Sequence, residues 1–326
     1  MSEKIPLDIR LIILIPVFND WRSLLLLLPI LEHELNTAGL RTGLLLVDDG
    51  STEKRPESLS KITLPSIERI EVLKLRRNLG HQRAIAVGLS YIAANYPDYS
   101  VLIMDGDGED CPKDVPRLVR ECLAQDFEKI VFAARTRRSE GLIFTFFYHL
   151  YRVVHWLLTG IPVRVGNFSI VPPDALKRLV AVSELWNHYA AAAHKAKLPM
   201  SLIPTERSKR LDGTPHMDLV SLVVHGLSAM AVFGDRIGVR LLLIVSLGIL
   251  LTVGGMVGVV TIRLATDLAV PGWASYVFGL LFVIMMQMLV VVLGFTFVIL
   301  AARNAINVIP SRDYVHLMDG VQRIHG

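Results

Sequence analysis

The chain is poor in the residues that would make it a disulfide or zinc scaffold. It has two cysteines in 326 residues, Cys111 and Cys122, too few for either framework and suited to a reducing compartment. It has no GxxxxGK[ST] string and no GxGxxG after a strand-like run, which argues against P-loop and dinucleotide-cofactor sites. No internal repeat or low-complexity run occurs. The N-terminus lacks a secretory pattern: Met1 to Arg10 carries charge, and the apolar run Leu11 to Val17, which includes Pro16, is too short to span a membrane. Charge is scarce in one place only. Between Gly238 and Ala302 the charged residues are Arg240, Arg263 and Asp267, whereas the chain as a whole is 20% charged and 52% hydrophobic. The remainder has the charge density of an ordinary globular protein, so the composition implies a soluble domain joined to a membrane segment. Disorder, a collagen-like chain and a fully polytopic membrane protein are excluded. A net charge of +4 is too small to argue for nucleic acid.

Leu241 to Ile262 and Trp273 to Ala302 are each long enough and apolar enough to cross a bilayer, and the link RLATDLAVPG between them is short. They predict a two-helix hairpin with both outer ends on one side. Arg236 and Arg240 precede it, Arg303 and Arg312 follow it, and Arg263 in the link is offset by Asp267. The positive-inside rule then puts the large domain in the cytoplasm, with the protein a multi-pass resident of the inner or plasma membrane. Gly254 and Gly258 form a GxxxG element compatible with a homo-oligomer. Leu142 to Leu158 fits an interfacial helix or a core helix equally, and Met217 to Phe233 fits an interfacial helix.

Up to about residue 135, strand-like and helix-like periods alternate. Strands are expected at Leu11 to Val17, Gly43 to Val47, Ile70 to Leu75, Val101 to Met104 and Ile130 to Ala134, with helices at Trp21 to Ala38, His81 to Ala94 and Pro116 to Gln125. This order predicts an α/β domain with a mainly parallel sheet, and a ligand site beyond the carboxyl ends of its strands. Three polar clusters follow strands: Pro16 to Asp20, Asp48 to Thr52, and Asp105 to Asp110. Each taken alone is ordinary turn chemistry. On an extended strand end Asp105, Asp107 and Glu109 would share one side, and three such carboxylates call for a cation such as Mg²⁺ or Mn²⁺. A calcium loop of the EF-hand type is excluded, because its sixth position is Asp110 and its twelfth Pro116. A divalent ion held by few carboxylates completes its shell with phosphate oxygens, which makes a nucleotide diphosphate the natural ligand.

In order and spacing, PVFND, LLLVDDGST, LRRNLGHQRAIAVGL and LIMDGDGEDCP resemble the GT-A glycosyltransferases of family 2. With the apolar hairpin, the chain is similar to the branch that glycosylates polyprenyl phosphates, dolichyl or undecaprenyl. The resemblance implies inverting transfer of a sugar from a UDP- or GDP-linked donor to a lipid phosphate, with a metal ion. It implies that Pro16, Phe18, Asp20, Asp48, Asp49 and Asp105 line the nucleotide pocket, and that Asp105, Asp107 and Glu109 hold the metal. By the same resemblance Asp107, Arg135 and Arg207 are catalytic, the two arginines facing phosphate. The expected domains are a GT-A catalytic domain over 1–215, an amphipathic interfacial helix over 216–237, two transmembrane helices over 238–303 and a cytoplasmic tail over 304–326.

The chain departs from the family pattern at Asn167 and Ser169, where the family usually has Asp and Arg, and at Pro215 and His216, where a Lys often stands. Two other functions share these residues. A processive polysaccharide synthase would carry QxxRW, which is absent. A catalytically silent partner that only binds nucleotide sugar fits the departures but not the intact Asp105 and Asp107. His81 and Gln82 fit phosphate contact or helix capping equally, His188 and His194 are six apart and read as surface or packing residues, and Cys111 is expected to be buried.

Overall fold

The computed structural model describes residues 9–135, 152–161, 165–206, 208–212, 219–266, 270, 272–303 and 307–325. Strand β1 (Leu11–Val17) is buried along its whole length. Leu11, Ile13, Ile15 and Val17 enter a core on one face of the sheet, while Ile12 and Leu14 enter a second core on the other. Side chains alternate with period two, so a strand apolar at every position must be covered on both faces, as in a parallel sheet packed between helices. The elements that follow are α1 (Trp21–Ala38), β2 (Thr42–Asp48), β3 (Ile67–Leu75), α2 (His81–Asn95), β4 (Ser100–Ile103), α3 (Val115–Ala124) and β5 (Ile130–Arg135). All eight strands and helices expected up to residue 135 are present, with ends displaced by a few residues at most. Leucines of α1 and α3 fill the first core, and α2 the second.

Next come α4 (residues 152–159), β6 (Ser169–Val171), α5 (Pro173–Leu179), α6 (Tyr189–Lys195), β7 (Met200–Thr205), α7 (Leu219–Ala231), α8 (Gly234–Ala265), α9 (Trp273–Arg303) and, near the end, β8 (Met318–His325). Among the described residues eight strands form one sheet, in the order β7-β5-β6-β4-β1-β2-β3-β8. Only β6 and β8 run against the other six. This is the mainly parallel sheet that the sequence led one to expect.

The stretch expected as a tail ends in structure instead. Met318–His325 pairs antiparallel with β3 and closes that edge of the sheet. Its register shifts twice, between Ile70 and Glu71 and between Lys74 and Leu75, and such irregularities erase the two-residue period that would announce a strand.

The chain forms two compact units, one made of Met1–Phe146, Val163–Val232 and Asn307–Gly326, the other of Phe147–Pro162 and Phe233–Ile306. In the second, Gly238, Gly248 and Gly255 of α8 face Ile299, Met288 and Leu281 of α9, so the helices run antiparallel with glycines at their contact. A side chain at Gly254 or Gly258 would meet nothing within 4 Å, so the GxxxG pair does not make this contact. Apolar side chains point outward along both helices: Leu243 is 66% exposed, Leu250 67%, Leu293 69% and Phe297 73%. At 32 and 31 residues each helix is about 45 Å long, ample for a hydrocarbon core about 30 Å thick. Helix α4 belongs to this unit, where Arg240 donates to the Leu157 carbonyl at 2.6 Å and so closes its C-terminal end. Val153, Trp156 and Leu157 of α4 are exposed, which favours the interfacial alternative for this segment over a core helix; residues 142–151 lie outside the described part. Arg312, counted above with the flanking basic residues, is paired with Asp313 through two hydrogen bonds. That pairing holds the Asp313 carboxyl down at about 2.

Candidate active site

The first two polar clusters are tied together by a residue between them. Asn19 adopts φ +54°, a left-handed backbone that asparagine tolerates better than most side chains. Its Oδ1 accepts from the amides of Thr52 at 2.9 Å and Glu53 at 3.0 Å, and its own amide donates to Ser51 Oγ at 3.0 Å. The loops after β1 and β2 therefore form one rigid floor. Asp48 accepts from the Ser51 amide at 2.8 Å, a turn closed by its own side chain. Asp49 is buried and turned the other way, with Oδ1 accepting from Leu79 N at 2.7 Å and Oδ2 from Gly80 N at 2.9 Å. Burial pushes its carboxyl up, and the two amides work against that. Both oxygens of Asp49 are thus engaged in fixing the start of α2, while Asp48 lines a cavity of about 410 Å³ with Ser51, Arg55, Lys74, Asp319 and Gln322.

The third cluster is not the extended strand end that its spacing suggested. Strand β4 stops at Ile103, and Asp105 to Asp110 turns back with Gly108 at φ +84°. Asp110, itself buried, accepts from Asp105 N at 3.0 Å, and Asp107 Oδ1 accepts from Glu109 N at 2.9 Å. Alternation therefore does not align the three carboxylates. Among the described residues no group of three or more His, Cys, Asp or Glu side chains comes together as a metal site. What the turn does is aim Asp107 Oδ2 at Arg210, whose Nη1 lies 3.2 Å away. The Arg210 Nη2 donates to Asp20 Oδ2, and its Nε to the Asp212 carbonyl at 2.8 Å. Burial pushes the Asp107 carboxyl above the usual range, and the Asp105 and Glu109 carboxylates add to this, against the Glu109 amide and Arg210. Such a carboxylate is stabilised as the anion by a nearby cation.

His81 opens α2 beside this loop. Its Nε2 lies 3.2 Å from Asp105 Oδ1 and 2.9 Å from Asn167 Nδ2. The direction of the second contact follows from its neighbours. Tyr189 N donates to Gln82 Oε1 at 2.8 Å, so Gln82 Nε2 faces Asn167 Oδ1 at 3.0 Å and the Asn167 amide NH₂ faces His81. A neutral His81 accepts from Asn167; a protonated one donates to Asp105. Burial works against the charged ring, but Asp105, with Asp110 and Asp49, outweighs it and moves the pKa upward. An Asn167→Asp variant replaces the competing donor by a second anion, so its His81 should stay charged to higher pH than in the parent. Histidine ¹⁵N chemical shifts across a pH series check this; an unchanged or lower His81 pKa would refute it. Ser169, the other departure, is buried and donates to the Asn167 carbonyl at 2.8 Å, while sharing a 2.7 Å hydrogen bond with Tyr189 Oη.

The remaining candidates are scattered by comparison. Pro16 is buried as part of β1, whereas Phe18 is 43% exposed at the lip. Asp20 accepts from Ser23 Oγ and from Arg210. Arg135 ends β5 in register with Thr205, two residues before Arg207, which lies outside the described residues, as do Gly213 to His216. His188 caps α6 by accepting from Ala191 N. Cys111 is only partly buried; the buried thiol is Cys122, which desolvation pushes up to about 12. Arg210 and Asn19 were not among the candidate residues. Asn19 lay inside the PVFND string, and an asparagine between a strand and a helix, the residue type that tolerates a left-handed turn, was the available signal.

The model of the family described as glycosyl transferase family 2 matches residues 12–181, more than half of the chain. The chain belongs to this family. It is a glycosyltransferase. Among its relatives is an uncharacterized glycosyltransferase, YkcC, of Bacillus subtilis, 24% identical over 274 residues and covering 81% of each chain. The undecaprenyl-phosphate 4-deoxy-4-formamido-L-arabinose transferase of Salmonella paratyphi B is 28% identical over 142 residues, a match spanning 44% of this chain and 41% of that one. Among solved structures, glucosyl-3-phosphoglycerate synthase from Mycobacterium tuberculosis, crystallised with Mn²⁺, uridine diphosphate and phosphoglyceric acid, superposes with a TM-score of 0.50 at 16% identity, covering 71% of this chain and 79% of that one. That likeness is one of fold.

Proposed function

We propose that this family 2 glycosyltransferase moves a sugar, with inversion, from a nucleotide-diphosphate sugar to a polyprenyl phosphate at the cytoplasmic face of the membrane. One observation carries the reading: the polar loops of a GT-A domain converge on Asp20, Asp105 and Asp107, and the same chain continues into two membrane-length helices before returning to the sheet as β8. Because β8 belongs to the sheet, both outer ends of the helix pair connect to the catalytic domain, which suits a hairpin that enters and leaves the bilayer on one side. The relative that acts on undecaprenyl phosphate supports the acceptor class. Its match covers less than half of either chain.

Asp107, with Asp105 beside it, would hold a Mg²⁺ or Mn²⁺ ion. Two carboxylates suffice for an ion that takes its other ligands from diphosphate and water, and the Asp105 and Glu109 carboxylates around Asp107 add negative charge that a cation would offset. When bound, the ion supplies charge stabilisation to the departing diphosphate. The residues of the chain do the rest. Asp48 and Phe18 face the nucleoside, and Asp49 fixes the α2 start that presents His81. Arg135 and Arg207 are assigned to phosphate neutralisation. A phosphate acceptor is already anionic near neutral pH, so alignment behind the sugar carbon matters more than a general base. The test is transfer of radiolabelled sugar from a panel of UDP- and GDP-sugars into a lipid extract containing undecaprenyl or dolichyl phosphate. The expected product is an organic-phase lipid that releases its label under mild acid. Label found only in water-soluble glycan would indicate a hydroxyl acceptor and overturn the assignment.

A further inference from the structure

Arg210 sits at a place no sequence pattern marked, 103 residues from Asp107 and 190 from Asp20. All three of its guanidinium nitrogens are engaged, by Asp20, Asp107 and the Asp212 carbonyl, and its side chain is only 14% exposed. The backbone around it is tied to the same loop: Ser208 N donates to the Glu109 carbonyl at 3.0 Å and Leu211 N to the Asp107 carbonyl at 2.9 Å. Leu211 covers Gly108 so closely that a Cβ there would lie 2.5 Å from the Leu211 Cγ. Ser23 Oγ at the start of α1 reaches the Asp212 carbonyl. Residues 208–212 are therefore a strap across the aspartate loop, and Arg210 is its pin.

This arrangement has a consequence for loading. Asp107 has two carboxylate oxygens; one accepts from the Glu109 amide, and the other is held by Arg210. A metal ion on Asp107 would share that carboxylate with the guanidinium, and two cations held so close in a largely desolvated site repel each other. We infer that Arg210 is the resident counter-ion of Asp107 in the donor-free enzyme and competes with the divalent metal, so that the ion binds well only when the strap's arginine is drawn off Asp107. The inference rests on the metal assignment proposed above and adds to it a gate in the 208–212 strap. The diphosphate of the donor is the natural group to draw the arginine away, since a guanidinium fork binds phosphate oxygens in pairs. Metal and nucleotide would then load together.

The experiment is titration of Mn²⁺, followed by the EPR signal of the free ion, on the full-length protein in detergent without nucleotide. Arg210→Gln should bind Mn²⁺ about tenfold more tightly than the parent, the scale on which a close, desolvated charge pair couples. Lys209→Gln removes a neighbouring exposed charge without touching Asp107 and should stay within about twofold of the parent. Arg210→Lys, which keeps the charge but loses the fork, should fall between them; it carries the comparison if the glutamine variant does not fold. Equal or weaker Mn²⁺ binding by the Arg210 variants overturns the gate. An Asp107→Asn arm separates the two ideas: if Mn²⁺ binding does not depend on Asp107 in any variant, the metal assignment fails and the gate with it, whereas Asp107-dependent binding that is indifferent to Arg210 removes the gate alone.

Discussion

Replacing Asp107 by alanine is expected to lower sugar transfer about a thousandfold or more, while leaving the protein folded. The magnitude follows from losing several kcal/mol of charge stabilisation on the leaving diphosphate. The folded state should survive because Asp107 is a costly residue for stability in the absence of ligand: its carboxyl is desolvated and has other carboxylates for neighbours. Removing it leaves Arg210 with Asp20 and the Asp212 carbonyl as partners. The check is kcat with a saturating donor, together with metal-dependent donor affinity from thermal stabilisation, which rises with bound ligand by mass action. An alanine variant that transfers sugar at the parental rate would remove Asp107 from the chemistry.

Asp105→Ala should behave differently, and the contrast is diagnostic. Asp105 is the partner of His81, and its amide is the anchor of the turn through Asp110. The backbone contact survives the substitution and the ion pair does not. A raised Michaelis constant accompanying the loss in kcat is the expected result, since Asp105 both shares the metal ion and, through His81, positions the donor.

Why some of this was legible in the sequence, and some not, is a matter of range. β1 and α1 are specified by local pattern: seven buried residues in a row and a leucine-rich helix produce periods that short windows capture. The DGDGED loop was found by composition but given the wrong shape. The period-two argument assumed that β4 continues, whereas Gly106 and Gly108 allow a reversal, and at Gly108 the backbone is left-handed. Arg210 was invisible for another reason. Its role depends on contacts made across 103 and 190 residues of chain, and a lone arginine in SKRLDG carries no period and no spacing. β8 was missed because its pairing with β3 is irregular and because it follows two apolar helices, where a tail was the simplest continuation. The two long helices themselves were easy, because apolar runs of membrane length with almost no charge show in composition alone.

Gly50→Ala should be among the most damaging single-atom additions in the catalytic domain. Gly50 stands at φ +71°, and a Cβ on it would lie 2.6 Å from both the Arg77 carbonyl carbon and the Asn78 nitrogen. Two costs combine. The left-handed backbone alone penalises a non-glycine residue by roughly 1–2 kcal/mol. The clash is with main chain rather than with a flexible side chain, and forcing a packed backbone apart adds roughly 1–3 kcal/mol. Gly39, which closes α1, supplies the control, because it is left-handed at φ +67° with nothing within 4 Å of its Cβ position, so Gly39→Ala bears the first cost without the second. The Gly50 variant should therefore be less stable than the Gly39 variant by about 2 kcal/mol, read as a lower midpoint in denaturant or heat. Its effect on the site should be larger than its effect on the fold. The segment pushed away, residues 77 and 78, leads directly to the Leu79 and Gly80 amides that Asp49 holds, and from there to His81 at Asp105. Nucleotide binding should weaken even at temperatures where the variant is fully folded. If Gly50→Ala proves as stable as Gly39→Ala and binds donor normally, the loop after β2 is not the rigid floor that Asn19 and Asp49 build, and the nucleotide pocket must be held from elsewhere.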